Sequence, residues 1–219
     1  MSLMRIDETD KPNCLLCKAP SSYGTTSNKR TYFKCSNCAC MYLKENDRLN
    51  EKDERKRYLE HNNDVTDKRY QKFVSPITDY IIKKYTLESL GLDYGAGTGP
   101  VISSMLNEKG FNLNIYDPYF HNNKKHLEQE YDYIVCCEVI EHFYKPKNEF
   151  QQLKNLLKKG GELICKTDLY GDDIDFNNWY YKNDPTHVFF YSKQTFQWIK
   201  QHIGFNKVSI EGRLIILEK

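Results

Sequence analysis

The chain predicts an α/β architecture: a doubly wound, mostly parallel sheet ending in an antiparallel hairpin, preceded by a small cysteine-bearing segment. Three observations carry that expectation. Residues 91–99, Gly-Leu-Asp-Tyr-Gly-Ala-Gly-Thr-Gly, set alternate glycines between an apolar, acid-ended run and a helical pattern. From Asp67 onward strand and helix signals alternate, as in parallel strands joined by right-handed crossovers. The last two β runs, 207–211 and 213–218, are separated only by Gly212, which reads as a minimal hairpin turn.

Taken in order, residues 67–85 carry apolar side chains at helical spacing, with Pro76 as a possible kink. A strand over 89–94 leads through the glycines to a helix over 100–109, for which Pro100 suits the first turn and Gly110 the stop. Strands follow at 112–116 and 131–137, the second almost wholly apolar, as for a strand covered on both faces. A helix is expected at 146–158, ended by Gly160-Gly161, then a strand at 162–166. Ser192 caps a helix over 193–203 that Gly204 stops.

Composition divides the chain into 11–43, rich in cysteine and polar residues; 44–66, a charge run expected to form a solvated linker or helix; and 67–219, the α/β domain. With 219 residues, 39% hydrophobic, the chain can bury one real core plus a small appendage. Lys+Arg 32 against Asp+Glu 30 leaves a net charge of +2, which demands no nucleic-acid partner. No apolar run approaches the roughly 20 residues that span a bilayer, and no signal pattern is visible, so a soluble, cytoplasmic protein without a membrane partner is expected.

The glycine turn points to chemistry. Side chains there would block a ligand from lying on the backbone, and the following helix presents open N–H groups and its positive dipole end. A nucleotide-like cofactor is the natural occupant. Dehydrogenases space the glycines G-x-G-x-x-G, whereas here they fall G-x-G-x-G, with Pro100 in place of the last glycine. The acid-G-x-G-x-G form resembles the first motif of class I S-adenosylmethionine-dependent methyltransferases. Asp117, 18 positions after Gly99, then Tyr131 to His142, then Lys159-Gly160-Gly161-Glu162-Leu163, fall in that family's order over about 90–217.

The resemblance implies a Rossmann-like fold and a methyl donor held by Asp93, Tyr94, Gly95, Ala96, Gly97 and Gly99, by Asp117 and Pro118, and by Cys137 and Glu138. Asp117 would accept bonds from the ribose hydroxyls. One departure stands out: Tyr131 follows Asp117 by only 14 positions, too few for the usual helix and third strand. The cover over the adenine is therefore expected to be shortened or absent.

Cys14-x-x-Cys17 and Cys35-x-x-Cys38 have the spacing of a structural Zn²⁺ site, and metal binding would supply folding energy to a segment short of core; Cys40 is expected to be a bystander. Cys136, Cys137 and Cys165 read as small buried hydrophobes, Cys137 near the donor site. Glu138, Glu141 and His142, at i, i+3, i+4, resemble segments that ligate a divalent metal such as Mg²⁺ in RNA 2′-O-methyltransferases and some quinone-pathway O-methyltransferases. Residues 178–196 follow the fifth strand, where the fold places the acceptor loop. Their Thr-His, then Tyr-Ser, then helix pattern resembles small-molecule methyltransferases, among them the sugar C-methyltransferases with an N-terminal Zn segment. His187 is the candidate general base there. His61-Asn62 and Tyr70 are candidate lid residues.

The expected function is methyl transfer from S-adenosylmethionine to a small molecule at oxygen or nitrogen. An RNA methyltransferase is the alternative, with Lys11, Lys18, Lys29, Arg30 and Lys34 interleaved with Tyr32 and Phe33 as the binding face. A non-catalytic cofactor-binding partner subunit is the other.

Overall fold

The computed structural model describes residues 12–60, 63–171 and 173–219. Lys11, His61 and Asn62, named above, lie outside the described residues. The cysteine segment forms an antiparallel meander of β1 (Ser21–Ser27), β2 (Arg30–Cys35) and β3 (Met41–Leu43). Asn28 and Lys29 turn the β1–β2 hairpin with φ of 50° and 62°, the twist a two-residue hairpin requires. Next come α1 (Glu51–Leu59), capped by the Asn50 side chain, and α2 (Lys68–Lys84), capped by Asp67.

The α/β unit then runs β4 (Leu90–Tyr94), α3 (Val101–Asn107), β5 (Asn112–Tyr116), β6 (Tyr131–Cys137), α4 (Pro146–Asn155) and β7 (Leu157–Lys166). It finishes with β8 (Phe189–Phe190), α5 (Lys193–Ile199), β9 (Lys207–Glu211) and β10 (Leu214–Glu218). Six strands lie in the order β5-β4-β6-β7-β10-β9. The first four are parallel, and β10 is antiparallel to both β7 and β9. This is the doubly wound sheet with a terminal hairpin that the sequence predicts.

Alternation along the strands feeds two cores. Tyr133, Val135 and Ile164 meet Val74, Ile77, Ile81, Val101 and Leu106 of α2 and α3. On the opposite face Ile134, Cys136, Leu163 and Cys165 pack with Phe150, Leu153, Phe196 and Ile199 of α4 and α5. Pro76 sits inside α2 without ending it.

Three expectations change. The helix ending at Asn155 is shorter than 146–158, and Gly160-Gly161 lies inside β7 instead of terminating it. There the pairing slips, with Tyr131 opposite Leu157 but Tyr133 opposite Glu162. A Cβ on Gly161 would come within 3.0 Å of the carbonyls of Tyr131, Asp132 and Lys158, so the glycine serves a bulge. The charge run is not a solvated linker throughout: Glu54 of α1 is only 7% exposed. The cysteine segment is not short of core either, because Leu16, Tyr32, Phe33, Tyr42 and Leu43 are buried in one cluster with the main sheet.

That last change has a topological cause. β3 pairs with β8, Met41 opposite Phe190 and Tyr42 opposite Phe189, so the N-terminal sheet takes its fourth strand from the far end of the chain. The short stretch after Asp117 is as expected. β5 stands at the sheet edge, and residues 118–130 hold only one short helical turn, Lys124–Leu127. His126 Nδ1 donates to the Ile115 carbonyl at 2.9 Å, covering part of that edge.

Asp93, at the end of β4, is 4% exposed and accepts a 2.8 Å bond from Ser103 Oγ of α3. Burial pushes its carboxyl up from 3.8 to about 6. The folded state therefore keeps a proton that the unfolded chain has released, and stability falls as pH rises from about 4 through about 6. Asp93→Asn should flatten that part of the pH dependence and raise stability at pH 7 by on the order of 2–3 kcal/mol. Urea denaturation at pH 4.5, 6 and 7.5 checks this, and an unchanged slope in the variant counts against it.

Candidate active site

A cavity of about 920 Å³ opens at the C-terminal ends of β4, β5 and β6. Asp93, Tyr94, Gly95, Ala96, Gly97, Gly99, Asp117, Pro118, Cys137, Glu138 and His187, the residues singled out from the sequence, all line it. So does Tyr70. Its size falls in the range of small-molecule sites.

The glycine loop is shaped by close approach. Gly95 and Gly97 have φ of +80° and +65°, and a Cβ on Gly95 would stand 2.5 Å from Val139. A Cβ on Gly99 would run into the Asn63 carbonyl. Asp117 fastens the loop to the neighbouring strand: its Oδ2 accepts from Gly97 N–H at 3.0 Å. Its Oδ1 accepts from the N–H groups of Tyr119 and Phe120 at 2.8 and 3.0 Å. A carboxylate offers about four acceptor positions, so Asp117 retains capacity for a ligand hydroxyl.

Beyond β6 the backbone turns through Glu138, a non-glycine residue at φ +53°, a strained conformation of the kind found at functional sites. Arg213 of the terminal hairpin grips both Glu138 oxygens at 2.8 and 2.6 Å. Burial and the neighbouring Glu141 still push the Glu138 carboxyl up to about 7. Glu141 is fully buried, which pushes its carboxyl up to about 7 as well. It accepts hydrogen bonds from Thr167 Oγ1 and from the Tyr181 hydroxyl.

His187 sits against this pair. Its Nδ1 donates to the Tyr181 carbonyl at 2.6 Å, and its Nε2 lies 4.0 Å from Glu141 Oε1. His142 Nδ1 likewise donates to the Thr186 carbonyl at 2.9 Å, and the two imidazoles meet edge to face at 4.9 Å. Those Nδ1 bonds fix both tautomers with Nε2 as the basic nitrogen. The expected Glu138, Glu141, His142 triplet is corrected: Glu138 is drawn away by Arg213. The group whose ligand atoms lie within 4.8 Å of one another is Glu141, His142 and His187.

Several cavity residues lay outside the sequence reading. Glu54, Arg57 and Tyr58 of α1 face the cavity, and Glu54 accepts from the hydroxyls of Tyr58 (2.7 Å), Tyr119 (3.1 Å) and Tyr144 (3.1 Å). The i, i+3, i+4 spacing inside the charge run was the available signal. Arg213, which reaches the site through Glu138, had none, since its partner is distant in sequence, whereas Tyr181 falls inside the 178–196 loop read as the acceptor side.

The cysteines gather at a second place. The Sγ atoms of Cys14, Cys17, Cys35 and Cys38 lie within 4.8 Å of one another, near the spacing of about 3.8 Å that tetrahedral Zn–S bonds require. Cys40 is not a remote bystander: it is fully buried, its Sγ 3.5 Å from those of Cys14 and Cys38.

A family model described as a methyltransferase domain matches residues 52–210. A search of the curated proteins finds no match. Among solved structures, a SAM-dependent methyltransferase from Archaeoglobus fulgidus aligns with a TM-score of 0.53 and 16% identity, over 68% of this chain and 94% of that one. Human N-acetylserotonin methyltransferase in complex with SAM aligns with a TM-score of 0.51 and 13% identity, over 68% of this chain. The chain spans about half of that human protein, 53% of its length, and 58% of a PigF structure with SAH. With the family model covering both the glycine loop and the acidic end of the second strand, the chain belongs to the class I S-adenosylmethionine-dependent methyltransferase family.

Proposed function

We propose that the chain transfers a methyl group from S-adenosylmethionine to a small-molecule acceptor at oxygen or nitrogen. The observation that carries this reading is one cavity lined both by the Gly97–Asp117 cradle and by the Tyr181-oriented His187. The cradle fits the donor: positive-φ glycines leave the backbone bare, and Asp117 keeps acceptor capacity for a ribose hydroxyl. The donor supplies an activated methyl on a sulfonium. Attack by the acceptor forms the new bond as the carbon–sulfur bond breaks, and the sulfur keeps that electron pair. His187 Nε2 takes the acceptor proton, its ring held by the Nδ1 bond to Tyr181. The walls align the reactants, which is the larger share of the work.

RNA as the acceptor is less well supported. Tyr32 and Phe33 are buried and offer no stacking surface, and Arg30 is engaged with backbone carbonyls of Lys182 and Asp184. A metal-assisted form of the small-molecule reaction draws support from the gathering of Glu141, His142 and His187. Two imidazoles and one carboxylate suit Mn²⁺ or Zn²⁺ better than Mg²⁺, which prefers oxygen ligands. We also assign a structural Zn²⁺ to Cys14, Cys17, Cys35 and Cys38.

S-adenosylhomocysteine should raise the melting temperature by mass action, and NAD should not. Asp117→Ala should weaken that binding by about 1.5–3 kcal/mol, read by calorimetry. Stabilisation by NAD alone would refute the donor assignment. Purified protein should carry about one Zn²⁺ per chain by elemental analysis. Cys35→Ser should release it and lower the stability of the whole chain rather than a separable segment, because β3 pairs with β8.

The acceptor is approached by presenting labelled donor with metabolite pools and with RNA; transfer confined to RNA would overturn the small-molecule reading. With the acceptor in hand, His187→Ala should lower turnover by about 10²–10⁴-fold at nearly unchanged S-adenosylhomocysteine affinity. Loss with chelator and recovery with Mn²⁺ would favour the metal-assisted form. Normal turnover in the variant together with chelator resistance would exclude both roles. No turnover with any acceptor would leave the non-catalytic partner subunit.

A further inference from the structure

Loop 176–187 walls one side of the cavity with Asn183, Asp184 and His187, yet its only regular structure is the short turn Tyr180–Asn183. Something else must fix it. Arg57, His142 and Glu141 bond its Asp184, Thr186 and Tyr181, and the β1–β2 hairpin supplies a further set of contacts. Arg30 Nη2 donates to the Lys182 carbonyl at 2.7 Å, and Nη1 reaches the Asp184 carbonyl at 3.4 Å. Thr25 Oγ1 donates to Asn177 Oδ1 at 2.8 Å, and the Tyr32 ring meets Phe176 edge-on at 4.9 Å. The glycine loop, by contrast, is held by Asp117 and by the Tyr116 carbonyl, which Gly95 N–H reaches at 2.7 Å.

A guanidinium suits this task. Its planar fork spans two carbonyls two residues apart, on either side of the cavity-lining Asn183, where an ammonium would grip only one point. The Asp184 carbonyl also accepts from His187 N–H within the loop at 3.2 Å, so the shorter Arg30 bond to the Lys182 carbonyl is the firmer of the two. Cys35 closes the same strand, so the proposed metal site anchors the strand that carries Arg30.

We propose that Arg30 is a positioning residue through which the cysteine segment sets the geometry of the acceptor loop. The acceptor loop then has, beside its bonds to Glu141, Thr167, His142 and Arg57, a tether on the N-terminal hairpin that the glycine loop does not share. This rests on the reading of 176–187 as the acceptor wall.

The test is hydrogen–deuterium exchange on the full chain, comparing peptides from 176–187 and 93–99 in Arg30→Ala, Arg30→Lys and Tyr32→Phe. Arg30→Ala should speed exchange across 176–187 at least tenfold. Exchange in 93–99 and calorimetric affinity for S-adenosylhomocysteine should stay within twofold. Arg30→Lys should be intermediate, and ethylguanidinium should slow loop exchange in Arg30→Ala without affecting the unaltered protein. Tyr32→Phe should change nothing, because the buried Tyr32 hydroxyl has no hydrogen-bond partner among the described residues.

Unchanged loop exchange in Arg30→Ala, or an equal rise in both peptides, would overturn the proposal. Should Arg30→Ala fail to fold, Arg30→Lys decides: loop exchange at the unaltered rate overturns the proposal, and a selective rise in 176–187 supports it. Failure of the functional reading would show elsewhere, as an unaltered protein that does not bind S-adenosylhomocysteine. The exchange result needs no ligand and decides the role of Arg30 alone.

Discussion

Phe189 and Phe190 make a strand of two residues, too short to stand alone, and much of the molecule hangs on it. Their partners Tyr42 and Met41 belong to the N-terminal meander. One residue earlier, Val188 links three parts of the chain: its carbonyl accepts from Leu43 N–H at 2.8 Å, and its N–H donates to the Glu141 carbonyl at 2.9 Å. A continuous line of backbone bonds thus runs from the cysteine segment to the buried carboxyl at the cavity. Phe190 also contacts the rings of Tyr32, Phe176 and Trp179, so side-chain packing follows the same route. The cysteine segment folds onto the domain because the domain completes its sheet.

The carboxyls beside His187 form a coupled set whose hydrogen count is informative. The Tyr181 hydroxyl lies within bonding reach of Glu141, of Glu138 at 3.1 Å and of Thr167 Oγ1 at 3.0 Å. A phenol has one hydrogen to give. It goes to Glu141, whose other oxygen takes the Thr167 hydroxyl, while Glu138 is held through both oxygens by Arg213. Burial pushes both acids toward neutrality, and Arg213 favours keeping the charge on Glu138.

The sequence made the sheet legible because its signals are local. Glycines at 95, 97 and 99, the apolar run of β6 and the Gly212 turn each encode an element within a few residues. The glycine turn at the cavity was legible for the same reason, and the spacing from Asp117 to Tyr131 correctly implied a missing strand. What escaped depended on distant partners. Gly160-Gly161 reads as a helix stop locally, and only the approach of the Tyr131 and Asp132 carbonyls makes it a bulge. Glu138 looked like a metal ligand by its spacing, but Arg213, 75 positions away, claims it. The core of the cysteine segment was invisible because part of its packing surface comes from Phe176, Val188, Phe189 and Phe190.

The charge run shows how the missing strand is compensated. Without a third strand, the side of the cavity beyond Asp117 has no sheet to close it. Helix α1 closes it instead, carrying Glu54 inward to the hydroxyls of Tyr119 and Tyr144, one from each flank of the opening. A buried carboxylate is tolerated only when donors surround it, and Tyr58 from the same helix supplies the third. Arg57 pairs with Asp184 at 2.8 Å, so the same turn of helix also holds the opposite wall. A mean composition rich in both charges looked like solvated surface. Its inward face is selected residue by residue, with each charge matched to a partner that only the folded chain brings near.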